Sequence, residues 1–159
     1  MAANPRQAID YVALSDFRHE IRRFLNFSEQ AARRAGIEPR QHQALLAIRG
    51  LLPGQNATVG FLADRLQIEH HTAVELANRL QKNHLISRRR SQGDRREVML
   101  RLTSRGERLL QSLTLLHRAE LITAGPGLLR ALGNVIGKSR PVRKKNQKLV
   151  RKQSSKEKS

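Results

Sequence analysis

Apolar or small residues recur at alternating spacings of three and four from Leu14 through Phe17, Ile21, Phe24, Ser28, Ala31 and Ala35. Such spacing lines one face of a helix as a heptad seam. The opposite face carries Arg18, Glu20, Arg22, Arg23, Glu29 and Arg33, so the seam packs while the charged face stays in water. A long first helix ending at Gly36 is predicted. Its seam can serve the chain's own core or a second copy of the chain, and the spacing leaves both open.

Pro39 suits a first helical position, and Ala44, Leu45, Ile48 and Leu52 predict a short amphipathic helix stopped by Gly50 and Pro53-Gly54. Thr58 is placed to cap a third helix running to Leu66. After Gln67-Ile68-Glu69 a fourth helix carries Ala73, Leu76, Ala77 and Leu80 on one face. Two short helices joined by a three-residue turn form the helix-turn-helix pattern.

Beyond Leu85-Ile86 the period changes. Ser87 to Ser91 is basic and extended, Gln92-Gly93-Asp94 reads as a turn, and Val98, Leu100 and Leu102 alternate with Glu97, Met99 and Arg101. These features predict a two-stranded hairpin with one buried face. Ser104 with Glu107 reads as a capping box, opening a helix through Leu109, Leu110, Leu113, Leu116 and Leu121. Gly125-Pro126-Gly127 is expected to break that helix, leaving a last stripe of Leu128, Leu129, Ala131, Leu132, Val135 and Ile136 that ends at Gly137. The fold class expected is mainly α with a small β-hairpin wing. Residues 1–137 form a winged helix-turn-helix domain with N- and C-terminal dimerisation helices, its DNA-reading part spanning about 38–102, and 138–159 form a disordered basic tail.

Charge narrows the partner. The 159 residues carry a formal net charge of +18, far more than solubility requires, which points to a polyanion: nucleic acid or an anionic membrane. Ten lysines and arginines in the tail oppose one glutamate, Glu157, so half of the net charge lies outside the expected fold. No run approaches the roughly 18 apolar residues of a membrane span, Met1 to Asp10 lacks a signal peptide's apolar stretch, and the tail has no apolar anchor. A cytoplasmic, nucleoid-associated protein is expected, with no membrane partner. With no cysteine there are no disulfides, thiolate nucleophiles or common structural zinc sites. No Gly-rich phosphate loop, nucleophile elbow or convincing acid pair is found, so no enzyme and no cofactor is expected.

A helix-turn-helix places its second helix in the major groove of double-stranded DNA, and arginines of a wing reach the adjacent minor groove. The candidate DNA-binding residues are therefore Thr58, His70, His71, Thr72, Glu75, Arg79, Arg88, Arg90, Arg95 and Arg96, with Arg89 in the same basic run and Asp94 supporting the wing by holding one of its arginines. His70, His71 and Glu75 also suggest a metal site. Adjacent histidines point to different helix faces, however, and no third strong ligand follows, so no metal is expected. His19, His42 and His117 are scattered on amphipathic helices, each read as a surface or satisfied, partly buried histidine.

The run from Phe61 to Leu80, then Leu85-Ile86, then Gly93-Asp-Arg-Arg-Glu-Val-Met-Leu-Arg-Leu-Thr-Ser-Arg-Gly106 resembles the MarR family of regulators, and Glu38-Pro-Arg-Gln-His-Gln-Ala-Leu-Leu46 extends the likeness. It covers about Phe17 to Ile136, and the Asp-Arg-Arg wing followed by Leu-Thr is its most specific part. The resemblance implies a homodimer built from the terminal helices, recognition helices in successive major grooves and, in many members, a small-molecule pocket between the two subdomains. His84 stands where many relatives have glycine, and Glu75 where relatives often carry serine, threonine or arginine. The expected function is a sequence-specific transcription regulator, a repressor by expectation, acting on a pseudo-palindromic operator, with an effector ligand left open. The alternative is a general or architectural nucleic-acid binder dominated by its tail.

Overall fold

A computed structural model describes residues 11–90 and 98–137 of the chain. The expected wing turn with Asp94, Arg95 and Arg96, and the basic tail 138–159, lie outside the described residues. The elements run α1 (Tyr11–Arg34), α2 (Pro39–Arg49), α3 (Val59–Leu66), α4 (His70–Lys82), β1 (Ile86–Arg90), β2 (Val98–Leu102) and α5 (Ser104–Val135).

Three helices end in the same way, for the same reason. Residue C″ bonds back to the carbonyl five residues earlier while C′ adopts left-handed backbone, the Schellman arrangement that satisfies the orphan carbonyls of a last turn. At α1 the bond is Ile37 N–H to Ala32 O with Gly36 at φ 78°. At α3 it is Ile68 N–H to Ala63 O with Gln67 at φ 52°, and at α4 it is Leu85 N–H to Leu80 O with His84 at φ 56°. Glycine adopts this backbone freely, whereas Gln67 and His84 do so at a steric cost of about 1–2 kcal/mol each. The turn at residue 84 thus forms with histidine in the place where the resemblance puts glycine.

Helix starts follow the sequence less uniformly. Pro39 opens α2 as expected, with the Glu38 N–H donating to Gln41 Oε1 at 3.0 Å, and Thr58 caps α3 by accepting from Phe61 N–H at 3.1 Å. The cap of α5, however, is Thr103 rather than Ser104: its hydroxyl accepts from Gly106 N–H at 3.1 Å and donates to His84 O at 2.7 Å. That second bond fixes the turn one residue early. It puts Gly106 where a capping-box glutamate would stand and leaves Glu107 to pair with Arg49 at 3.2 Å. Leu52 is likewise not part of α2, which ends at Arg49; Leu52 lies 67% exposed.

The larger departure is α5 itself, which runs unbroken through Gly125-Pro126-Gly127. Pro126 is exposed, so its missing N–H and its ring do not disturb a packed face. Gly125 has no Cβ to meet the proline ring, which removes part of the clash that normally keeps a pre-proline residue out of helical backbone. Glu20 of α1 approaches Gly127 closely, and Ala131 beyond it is buried, so packing against α1 carries the helix across the weak point.

The hairpin pairs antiparallel in the register Ile86↔Leu102, Arg88↔Leu100 and Arg90↔Val98, which puts these six residues on one face. That face is buried at Ile86 and Leu100, and exposed by Val98, where a buried residue was expected. Leu100 N–H donates to Ala57 O at 2.7 Å and Thr103 N–H to Leu85 O at 3.0 Å, fastening the wing root to the loop before α3 and to the end of α4. A Cβ on Gly106 would sit 2.1 Å from Leu85 O, so only glycine lets α5 start this close. The core is a layer of Leu45, Leu62, Leu80, Leu85, Ile86, Leu100 and Leu113 contributed by α2, α3, α4, the hairpin and α5. Of the α1 seam only Ala31 is buried; Phe17, Ile21, Phe24 and Ser28 are half-buried, and Leu14 and Ala35 exposed.

Candidate nucleic-acid interface

Helix α4 buries Ala73, Leu76, Ala77 and Leu80, which by helical geometry turns His71, Glu75, Asn78 and Lys82 outward as a stripe; all four are exposed. His70 and Arg79 flank the stripe exposed, and Thr72 is half-buried. Glu75 and Arg79 form an ion pair at 3.3 Å between side chains 62% and 70% exposed. In that setting the pair adds little stability; its effect is to orient both heads. Thr58 stands at the N-terminus of α3 with its hydroxyl engaged as the cap.

On β1, Arg89 and Arg90 are exposed, while Arg88 shares the inner face with Leu100. The Arg88 Nε is enclosed without a partner, and its Nη2 donates to Asn78 Oδ1 at 2.8 Å. The structure thus joins the wing root to the middle of α4. The roles expected for Arg95, Arg96 and Asp94 fall outside the described residues. Asn78 was not among the candidates read from the sequence, although the three-and-four spacing from His71 and Glu75 places it on the same face.

Among the described residues no group of three or more His, Asp or Glu side chains is placed to hold a metal ion. The histidines did converge elsewhere. His42 of α2, 4% exposed, stacks on His117 of α5 with ring centroids 4.7 Å apart, and Phe24 and Phe27 of α1 meet His117 edge-on. The Leu113 carbonyl can only accept, so His117 Nδ1 carries the proton there, and the Ser28 hydroxyl donates to Nε2 at 2.7 Å in the neutral ring. Burial, and secondarily the electrostatic influence of the facing His117, lower the His42 pKa from 6.5 to about 4. A separate open cleft of about 540 Å³ lies between α1, α2 and α4, lined by Glu29, Arg33, Glu38, Arg40, Glu75 and Arg79 among others.

Residues 35–97, from the end of α1 through the expected wing turn, match the MarR family. A stretch of 56 residues aligns, at 36% identity, with an uncharacterized HTH-type transcriptional regulator, YsmB, of Bacillus subtilis. The fold is that of a winged helix-turn-helix protein, and the match to the MarR family lies in its DNA-reading part. The alignment with YsmB spans 35% of this chain and 38% of the length of that relative. Solved structures extend the likeness in fold to the terminal helices. A MepR mutant of S. aureus, bound to an oligodeoxyribonucleotide, is similar with a TM-score of 0.58 and 22% identity, covering 67% of this chain and 77% of that one. CouR of Rhodococcus jostii, bound to p-coumaroyl-CoA, is similar with a TM-score of 0.61 and 17% identity, covering 84% and 97%. No helix among the described residues is long and apolar enough to cross a membrane.

Proposed function

We propose that the chain is a sequence-specific, double-stranded DNA-binding transcription repressor that acts as a homodimer on a pseudo-palindromic operator in the cytoplasm, at the nucleoid. The observation that carries this reading is the outward stripe of α4, polar along its length and bordered by the basic strand β1, which fits a major groove with the wing beside it. His70, His71, Thr72, Glu75 and Arg79 would lie at base edges, and Arg88, Arg90, Arg95 and Arg96 on the wing side. The oligodeoxyribonucleotide bound by the MepR mutant, which shares the fold, supports DNA as the partner. Residues 1–137 would act as the folded unit and 138–159 as a sequence-independent phosphate-binding tail.

A small-molecule effector belongs to the same proposal. CouR, of the same fold, is bound to p-coumaroyl-CoA, and here a cleft lies directly against the reading helix, so an occupant would touch Thr72, Glu75 and Arg79. A second reading, a general nucleic-acid binder, is favoured by the +18 charge. Selection of bound fragments from genomic DNA under excess bulk competitor separates the two: a repressor enriches a motif, whereas a general binder enriches none.

A further inference from the structure

The Asn78–Arg88 contact does more than tie the wing down. An arginine head only donates, so the Asn78 atom facing it is the carbonyl oxygen Oδ1, and the 2.8 Å bond takes one of its lone pairs and turns the amide toward the wing. Reading adenine bidentately takes both halves of an asparagine amide, the oxygen to accept from N6 and the nitrogen to donate to N7. With its oxygen held by Arg88, Asn78 is not set to offer both halves of its amide to one base, and its Nδ2 hydrogens remain to donate. Arg88 has further Nη hydrogens besides the one given to Asn78, and the neighbouring carboxylate of Glu75 is paired with Arg79. The junction of α4 with β1 therefore gathers donors and positive charge, which suits a phosphate, an acceptor throughout.

Where this junction would meet DNA follows from groove geometry. A helix in the major groove and a wing at the adjacent minor groove are separated by one sugar-phosphate strand, and the α4–β1 junction spans that gap. We propose that Asn78 and Arg88 form a single phosphate seat on the DNA strand between the two grooves, with Asn78 a positioning residue that holds the guanidinium rather than a reader of bases. The inference rests on the DNA-binding reading above. Arg88 is suited to the task because its stem runs on the buried face of the hairpin beside Leu100, so its head is carried on the core rather than on a loose side chain.

The test uses the full chain with the selected operator and a random duplex of equal length, across a salt series, for Asn78→Ala, Arg88→Met and the double variant. Methionine keeps the apolar stem and removes the enclosed, unpartnered Nε, so folding is retained, and thermal melting checks this for each variant. Arg88→Met should weaken both duplexes by a similar factor, about tenfold, and flatten the slope of log affinity against log salt by about 0.9. Asn78→Ala should also weaken both duplexes alike, and in the double variant it should add little to the loss caused by Arg88→Met, because the two act as one unit. Loss on the operator alone after Asn78→Ala would make Asn78 a base reader and overturn the proposal. So would an unchanged salt slope in Arg88→Met, or fully additive losses. A wild-type chain that binds neither duplex would remove the DNA-binding reading itself, whereas wild-type binding with unaffected variants removes the phosphate seat alone.

Discussion

Among single side chains, the stacked pair of His42 and His117 makes the sharpest demand on solution conditions. His42 is folded into the contact between α1, α2 and α5, where burial and the facing His117 ring disfavour its charged form and bring its pKa to about 4 from 6.5. Unfolding returns it to water and to the ordinary value, so between these limits the unfolded chain binds the extra proton. The stability associated with neutral His42 is therefore complete above pH 6.5 and is lost as pH falls toward 4, by up to about 3 kcal/mol. Denaturant unfolding at a series of pH values should show this decline, and His42→Phe, which keeps a stacking ring without a titrating group, should flatten it over the same window. An equally steep decline in the variant would assign the acid sensitivity to other groups. Nothing in the sequence joined these two histidines, 75 positions apart, because their meeting depends on how three helices cross. Asn78 was legible in principle from the spacing along α4. Its bond to Arg88 was not, since it depends on the hairpin register.

Among the elements, punctuation was legible where a local bond decides it and misleading where packing does. Gly36, Pro39 and Thr58 each mark a boundary through their own backbone or hydroxyl chemistry, and the chain obeys all three. Thr103 displaced Ser104 as a cap because a distant carbonyl, that of His84, also binds its hydroxyl. The Gly-Pro-Gly run was overruled by contact of α5 with α1 on both sides of it. Proline still costs α5 one hydrogen bond at an exposed position, so Pro126→Ala should raise stability by about 1–3 kcal/mol. The midpoint of thermal or denaturant unfolding measures this. A fall in the midpoint would mean that a break or bend at Pro126 is needed, as the sequence alone suggests.

For the whole molecule, large apolar side chains stand exposed on both terminal helices. Tyr11 and Val12 on α1, Ile122 and Leu129 on α5, and Ile136 just past its end are each 65–73% exposed. The homodimer proposed above would cover these faces with a second copy of the chain. Ile122→Glu with Leu129→Glu should convert a dimer into a monomer in sedimentation at micromolar concentration while helix content stays the same. A wild-type chain that sediments as a monomer would remove the symmetry on which the operator expectation rests.

Symmetric, sequence-specific docking of two reading helices is the claim on which the rest depends, and nuclease footprinting on a selected genomic fragment, with bulk DNA in excess, tests it most directly. The account predicts a short protected region with two-fold symmetry and half-site centres roughly 10 base pairs apart, or a small multiple of that. Protection that spreads along the fragment without a boundary or a symmetric centre would contradict it, and would leave a general nucleic-acid binder in its place.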